Sequence, residues 1–213
     1  MSVIWKLSTS LGRNDETPNS ELALLIAGSE DREAVKELVD NLVNQNKWIQ
    51  SDCIKVLYEV AEQKPELIAP YNDVFISLLD SKNNRLVWGA MTALDHISSV
   101  NPDKIYQHLP RILDSGDKGS VISKDHVVSI LVKLAGNREY HHEVSGILLD
   151  QLSTCPPNQL PMYAENAFAV LSQDYSDALS ELLRARLGQF DKESKRKRVE
   201  KVIARIARSK GGV

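Results

Sequence analysis

The most constraining feature of the sequence is an apolar pattern that recurs at a period of roughly forty residues. Four segments share it, and they are centred on Leu57, Leu94, Leu131 and Leu171. Within each segment the apolar residues follow one another in steps of three and four, which places them on one face of an α-helix. Small residues such as Ala90 stand where the backbone of a neighbouring helix must come close. Repetition of one helical unit at this period is typical of a solenoid, in which each unit packs on its neighbours.

Prolines mark the boundaries between the repeated units. Pro65 and Pro102 each follow a leucine-centred helix at the same place, and each suits the first turn of the next helix, where a missing N–H costs nothing. The signals predict helix pairs at roughly 65–79 with 84–99, 102–113 with 120–135, 139–152 with 159–172, and 176–190 with 192–208.

The expected architecture is all-α, a right-handed α-α superhelix of about five helix pairs with an N-terminal cap. Residues 1–30 are predicted to form an N-terminal segment and a capping helix. Residues 31–208 are predicted to form a single solenoid, and residues 209–213 a short tail.

Composition and cysteine placement favour a cytoplasmic protein without membrane insertion. Hydrophobic residues make up 42% of the chain and charged residues 26%, which argues against disorder throughout. No apolar run approaches the length that crosses a bilayer, and the start of the chain is too polar for a secretory signal. Cys53 falls on a predicted core face and Cys155 in a loop, so no disulfide is expected.

The leucine-centred helices resemble the second helix of HEAT repeats, whose signature is an apolar residue, an arginine, and then alanine, alanine and leucine at helical spacing. Leu86, Ala90, Ala93 and Leu94 match this signature, and Asp80-Ser81 resembles the turn within a HEAT unit. The resemblance covers the predicted solenoid as five helix pairs. It implies a HEAT or armadillo-like solenoid, a fold found mostly in scaffolds and adaptors, and therefore an interaction role.

The sequence differs from the HEAT signature at the arginine position. Its position is held by Gln50, Val87, Lys124 and Ala164 in the four copies. The Asp/Arg ladder of well-formed HEAT arrays is therefore missing, and armadillo-like or other α-α superhelical relatives are equally compatible with the pattern.

One face of the leucine-centred helices is predicted to bind a protein partner. A rotation of 100° per residue places Lys55 and Tyr58 opposite the core face of the first such helix. A shift by one repeat adds Trp88 and Asp95, and the next copy contributes Asp125. In the expected superhelix this side lines the concave surface.

The tryptophans on these helices have two interpretations. Trp88 either packs between repeats or, as a large aromatic beside Tyr58, anchors a partner, and we expect it to keep appreciable solvent exposure. Trp48 aligns with Arg85 in the next copy, and packing is the favoured interpretation for it.

The last helix is amphipathic and strongly cationic. Residues 192–210 contain nine Lys or Arg and two acids, whereas the rest of the chain has 17 basic and 27 acidic residues. The basic stripe consists of Lys197, Arg198, Lys201, Arg205 and Arg208. It is interpreted as the solvated face of a capping helix, as a contact for an acidic protein, or as a contact for phosphate or anionic lipid.

The sequence predicts no metal, cofactor or catalytic site. His141 and His142 point about 100° apart on a helix, so they cannot converge on one metal. The glycine-containing segment 114–120 resembles a phosphate loop only superficially and is predicted to be a turn between helices. The other histidines, His126 among them, lie at different angles of different repeats, so we expect no nucleophile, base and orienting group to meet.

These observations favour a non-catalytic scaffold or adaptor that binds proteins through the concave face. The alternative is a nucleic-acid-binding protein, because HEAT-like DNA alkylation-repair glycosylases resemble the chain in size and helical repetition. Their concave face is basic and aromatic, whereas the corresponding face here is mixed or acidic, which argues against nucleic acid. A third class, a repeat enzyme of the chromophore-attachment or hydroxylase type, requires a His and acid cluster that the pattern does not assemble.

Duplex DNA binding tests the alternative. The basic stripe reaches only a handful of phosphates, and the acidic remainder of the chain repels a polyanion. We expect no duplex affinity tighter than about 10⁻⁵ M near about 150 mM salt, measured by fluorescence anisotropy. A tighter, saturable isotherm that disappears when Arg198, Lys201 and Arg205 are changed to Glu would favour the nucleic-acid alternative.

Overall fold

The chain folds into α-helices and short 3₁₀ turns. The computed structural model describes residues 2–171 and 173–210, and these residues contain no strand. This confirms the all-α fold class. The chain divides into two compact units, Met1–Val127 and Val128–Val213, which we call unit 1 and unit 2.

Unit 1 contains eight complete helices and the start of a ninth. They are α1 (Thr17–Ser29), α2 (Arg32–Asp40), α3 (Lys47–Gln63), α4 (Pro65–Ile68), α5 (Asn72–Leu78), α6 (Asn84–Ile97), α7 (Pro102–Gln107), α8 (Leu109–Lys118) and α9 (Val121–Ala135), whose last residues belong to unit 2. Side-chain caps start several of these helices. The carboxylate of Asp31 and the side-chain oxygens of Asn46 and Asn83 accept backbone N–H groups of the first turns of α2, α3 and α6.

The predicted apolar face forms the core of unit 1. Leu57 on α3 and Leu94 on α6 are fully buried, and α3 packs against both α1 and α6. The N-terminal segment is tied to the same helix, because the Asp52 carboxylate of α3 accepts the backbone N–H of Thr9 and the side-chain N–H of Asn19. Asn19 lies in the first turn of α1, and its side-chain oxygen accepts the backbone N–H of Ser8.

Prolines interrupt two helices that the sequence pattern predicts to be continuous. Pro65 and Pro102 lie in the first turns of α4 and α7, as expected. The helices predicted at 65–79 and 102–113 are each divided, however, at Pro70 and at Pro110. A proline has no N–H for the helical ladder and disfavours the helical conformation of the residue before it.

The segment 114–120 is not the turn that its glycines suggest. Helix α8 continues to Lys118, and Gly116 is buried within it against the side chain of Val127. The turn before α9 is confined to Gly119 and Ser120. Gly116 is therefore a close-packing residue, since a Cβ at this position would collide with Val127.

Unit 2 consists of the end of α9 and four further helices. They are α10 (His141–Thr154), α11 (Leu160–Val170), α12 (Gln173–Arg186) and α13 (Glu193–Lys210). Helix α13 packs on α11 and α12, with Val199, Val202 and Ile206 buried. Helix α13 includes Ser209 and Lys210, the first two residues of the segment 209–213.

The fourth repeat leucine departs from the pattern. Helix α11 ends at Val170, and Leu171 has an extended backbone and is only half-buried. The prediction of a helix through Ser172 is wrong at Leu171, while Ser172 itself lies outside the described residues. The last turn of this repeat is thus shorter than in the copies centred on Leu57 and Leu94.

A buried arginine joins two helices of unit 2. The Arg186 guanidinium of α12 donates to the carbonyl oxygens of Leu152 and Cys155, the latter at 2.6 Å, and to Gln189 Oε1 at 2.9 Å. These carbonyls lie at the C-terminal end of α10, where helix carbonyls lack intrahelical partners and a cation is favourable. Burial raises the pKa of the neighbouring Cys155 thiol, so this cysteine stays protonated near neutral pH.

Leu94→Ala tests the assignment of the core face. We expect it to lower the free energy of unfolding by about 2–5 kcal/mol, the usual cost of emptying a fully buried leucine site. The measurement is the midpoint of urea denaturation followed by circular dichroism. Leu25→Ala is the matched control, because Leu25 on α1 is 62% exposed and should shift the midpoint little. Equal shifts for the two variants would contradict the assignment.

Candidate functional site

Helices α3 and α6 of unit 1 carry a groove of about 330 Å³ on their surface. Its lining consists of Glu16, Ser51, Ile54, Lys55, Tyr58, Arg85, Trp88, Gly89, Thr92 and Ile122. A second cavity of about 320 Å³ adjoins it, shares Glu16 and Arg85, and adds Trp48 and the N-terminal loop. The two cavities form one surface, which we call the groove.

Equivalent positions of consecutive repeats build the groove. Trp48, Arg85 and Ile122 occupy the same repeat position in the first turns of α3, α6 and α9. Trp48 is 65% exposed and Ile122 54% exposed, and Trp88, one turn further along α6, is 40% exposed. The exposure expected for Trp88 is therefore observed, whereas the packing interpretation of Trp48 is wrong.

A glycine lets α3 and α6 approach closely beneath the groove. Gly89 is buried, and a Cβ at this position would collide with the side chain of Ile54 on α3. The missing side chain leaves room above Ile54 between Tyr58 and Trp88. The groove therefore depends on a residue without a side chain.

Lys55 is half-buried and electrically neutralised. Its Nζ lies 2.6 Å from Glu59 Oε1 and 3.2 Å from Glu16 Oε2, and 5.2 Å from the centre of the Tyr58 ring. Burial by itself would lower the pKa of Lys55, but its hydrogen bonds to Glu59, Tyr58 and Glu16 hold the pKa above the ordinary value. Burial has the opposite effect on Tyr58: it raises the pKa of the phenol, which remains neutral.

Arg85 is the exposed cation of the groove. Its guanidinium lies 6.0 Å from the centre of the Trp48 ring. Within the described part of the chain, no carboxylate is within ion-pair distance of it. Arg85 therefore presents N–H donors to the groove, whereas the charge of Lys55 is already used by Glu16 and Glu59.

Asp95 does not belong to the exposed surface. It is 6% exposed, and its Oδ2 lies 2.9 Å from Nδ1 of His126 on α9. The prediction of Asp95 as a partner contact is thus corrected. The cause is the approach of α9, which covers this end of the outward face of α6 and supplies a partner for the carboxylate. His126 Nε2 in turn lies 3.0 Å from the hydroxyl of Thr92.

Asp95, His126 and Thr92 form a continuous chain of hydrogen bonds. The Thr92 hydroxyl donates to the carbonyl oxygen of Trp88, at 2.9 Å. The same hydroxyl contacts Nε2 of His126, whose Nδ1 contacts the Asp95 carboxylate. The three side chains join α6 to α9, contrary to the expectation that His126 meets no such partners.

Of the remaining predicted contact residues, some line the groove and one does not. Lys55 and Tyr58 line the groove with Trp88, whereas Asp125 is half-buried on α9 and does not line it. Arg85 and Ile122 were missed, although both lie three residues before a named position and so on the same helical face. The repeat pattern could not identify Glu16, because this residue comes from the N-terminal loop.

The basic stripe lies on unit 2. Its five members, Lys197, Arg198, Lys201, Arg205 and Arg208, are all exposed on α13. Two of its members contact α11. Arg198 forms an ion pair with Glu165, and Arg205 lies over the Phe168 ring.

Two features are absent from the described residues. In residues 2–171 and 173–210, no group of three or more His, Cys, Asp or Glu side chains is arranged to hold a metal ion. Over the same ranges, no helix combines the length and the apolar character required to span a bilayer.

Comparison with known proteins identifies solved structures of similar architecture. No protein-family model and no curated protein sequence matches the chain. Solved structures do match. One is an engineered protein, with a TM-score of 0.65, 17% identity, and 97% of each chain covered. Another is a computationally designed armadillo repeat protein for modular peptide recognition, with a TM-score of 0.65, 15% identity, and 89% of this chain and 92% of that chain covered.

A third match is a designed armadillo repeat protein solved in complex with the peptide (KR)4. Its TM-score is 0.65 at 16% identity, with 89% of this chain and 91% of that chain covered. The chain has an armadillo/HEAT-like helical-repeat fold. At these identities the armadillo-like likeness concerns the fold, and these neighbours are designed scaffolds.

Asp95→Ala tests whether this carboxylate is structural. We expect a loss of about 1–3 kcal/mol in stability, because Nδ1 of His126 then loses the buried carboxylate that it contacts. Urea denaturation measures the loss, and Asp117→Ala, at an exposed site on α8, is the control. Unchanged stability of Asp95→Ala would contradict the structural role.

Proposed function

We propose that the chain is a non-catalytic binding module whose groove takes an extended peptide segment of a protein partner. The observation that carries the proposal is the unbroken exposed row Trp48, Arg85 and Ile122, with Trp88 beside it, over the cleft that Gly89 leaves open. Large exposed aromatic and aliphatic side chains that cluster in a cleft are typical of binding surfaces.

The spacing of the helices supports an extended ligand. Packed helices lie about 8–10 Å apart, and an extended chain rises about 3.3 Å per residue. A peptide crossing α3, α6 and α9 therefore meets a new helix about every three residues. Its apolar side chain would lie between Tyr58, Trp88 and Ile122, where the groove is least polar.

The charges of the groove define the rest of the ligand. Glu16 and Glu59 are occupied by Lys55, while Arg85 has no acidic partner among the described residues. We therefore propose a peptide with a carboxylate two residues from its apolar anchor, on the same side of the extended chain and facing Arg85. This differs from the designed neighbour, which was solved with a peptide of alternating Lys and Arg.

The state of the two cysteines supports a cellular setting. Both cysteines are free thiols, and burial raises the pKa of Cys53 to about 12, so neither is suited to redox exchange. A protein partner in the cytoplasm is the setting that we propose.

Trp88→Ala tests the groove directly. A random peptide library displayed on phage supplies ligands, and labelled synthetic copies of the enriched peptides are titrated by fluorescence anisotropy. We expect Trp88→Ala to weaken binding by about tenfold or more, as for an aromatic anchor. Trp5→Ala is the matched control, because Trp5 is 73% exposed and lies outside the groove. Binding that survives Trp88→Ala, with both proteins folded by circular dichroism, would defeat the proposal.

Arg85→Gln tests the charge of the ligand. The probes are labelled Gly/Ser decapeptides that carry one Phe and, two residues away, Asp, Asn or Lys. We expect the wild-type protein to prefer the Asp peptide several-fold, and Arg85→Gln to abolish that preference while the Phe contribution persists. A preference for the Lys peptide would contradict the assignment.

A further inference from the structure

The exposed face of α13 and α11 in unit 2 carries a regular row of positive charge. Lys197, Lys201 and Arg205 are separated by four residues each, which places their side chains one above another at about 6 Å steps along the helix. Residues 128–213 contain 13 Lys and Arg against 10 Asp and Glu, whereas the chain as a whole is negative. The positive charge of the protein is therefore concentrated on this unit.

Contacts within unit 2 hold part of the row in place. Arg198 forms a two-pronged ion pair with Glu165 of α11, with Nε–Oε1 at 2.9 Å and Nη2–Oε2 at 2.6 Å. The hydrogen bonds from Arg198 lower the pKa of the Glu165 carboxyl, so the pair persists well below neutral pH. The Arg205 guanidinium lies 4.5 Å from the centre of the Phe168 ring. A cation stacked on a ring still presents its N–H edge to solvent.

Two of these cations are unneutralised. Glu165 is occupied by Arg198, and Lys197 lies 3.9 Å from Glu193. Lys201 and Arg205 have no ion-pair partner within the described part of the chain. Arg205 lies over the Phe168 ring. The surface thus offers two free cations, one of them on an aromatic ring.

We propose that this face of α11 and α13 binds an acidic peptide segment in extended conformation. Alternate side chains of an extended chain lie about 6.6 Å apart, close to the 6 Å steps of the cationic row. Acids at alternate positions would meet Lys201 and Arg205, with the next acid reaching Lys197. The intervening side chains would point away from the helix, because successive side chains of an extended chain alternate between two faces.

A peptide fits this face better than a nucleic acid. Two free cations release few counterions from a duplex, and the net charge of −3 repels a long polyanion. A short acidic peptide presents far fewer negative charges to the protein than a duplex does.

The test uses a fluorescein-labelled decapeptide that alternates Glu and Ser, titrated into the full chain at about 50 mM salt by anisotropy. We expect saturable binding that weakens as salt rises, and none to the Gln/Ser counterpart. Lys201→Glu with Arg205→Glu should weaken binding at least about tenfold. The matched control is Arg138→Glu with Arg184→Glu, which makes the same change of net charge at exposed arginines elsewhere on unit 2 and should leave binding nearly unchanged.

The outcomes separate the alternatives. Equal losses in the two double variants would show that only net charge matters and would overturn the proposal, as would the absence of binding to the alternating peptide. A labelled duplex that binds more tightly than the peptide and depends on the same residues would favour nucleic acid instead. Lys201→Glu alone leaves the Arg205–Phe168 contact in place, so it retains a readout if the double variant fails to fold. Trp88→Ala should not affect this binding, which is independent of the groove.

Discussion

The close approach of α3 and α6 at Gly89 is the contact on which the rest of unit 1 depends. It brings Ile54 under the groove and allows Leu57 and Leu94 to be fully buried on the other side of the same helices. Because protein interiors are close-packed, a side chain at Gly89 would separate the helices or displace Ile54. The same missing side chain opens the cleft beside Trp88, so the packing of the repeat and the shape of the candidate site have one cause.

The charged side chains of the groove differ in whether they have a partner. The residues around it include several acids, and counting them would suggest a surface for cations. These acids already have partners, however, because Glu16 and Glu59 share the one cation Lys55 and Asp52 accepts hydrogen bonds from the N-terminal segment. Arg85 on the Trp48 ring is left as the available charge. A surface with paired acids and one unpaired guanidinium selects a carboxylate, because the unpaired group still has donors to offer.

The periodic pattern predicted the helices and most of the core, but it failed where contacts between distant elements decide. Pro70 and Pro110 divide predicted helices, because the pattern of apolar residues is continuous across them while the backbone hydrogen bonds are not. Trp48 was expected to pack, yet no later helix covers the first turn of α3 in the described structure, and it stays exposed. Arg85 and Ile122 share the repeat position of Trp48, so an alignment of the repeats was sufficient to identify them as neighbours of Trp48.

The sequence by itself determined which segments are helical and which face of each helix is apolar, since both are local properties that a period of three to four residues records. Only the tertiary structure decided which outward-facing polar residues reach solvent. Asp95 and Lys55 lie at equivalent angles to exposed residues, yet one is buried against His126 and the other is neutralised by Glu16. His126 and Glu16 lie more than thirty positions away in sequence from these residues, and no local periodicity specifies the two pairings, because they form only when the elements pack. The second partner of Lys55, Glu59, lies four residues away on the same helix, so this pair alone could be predicted from the sequence.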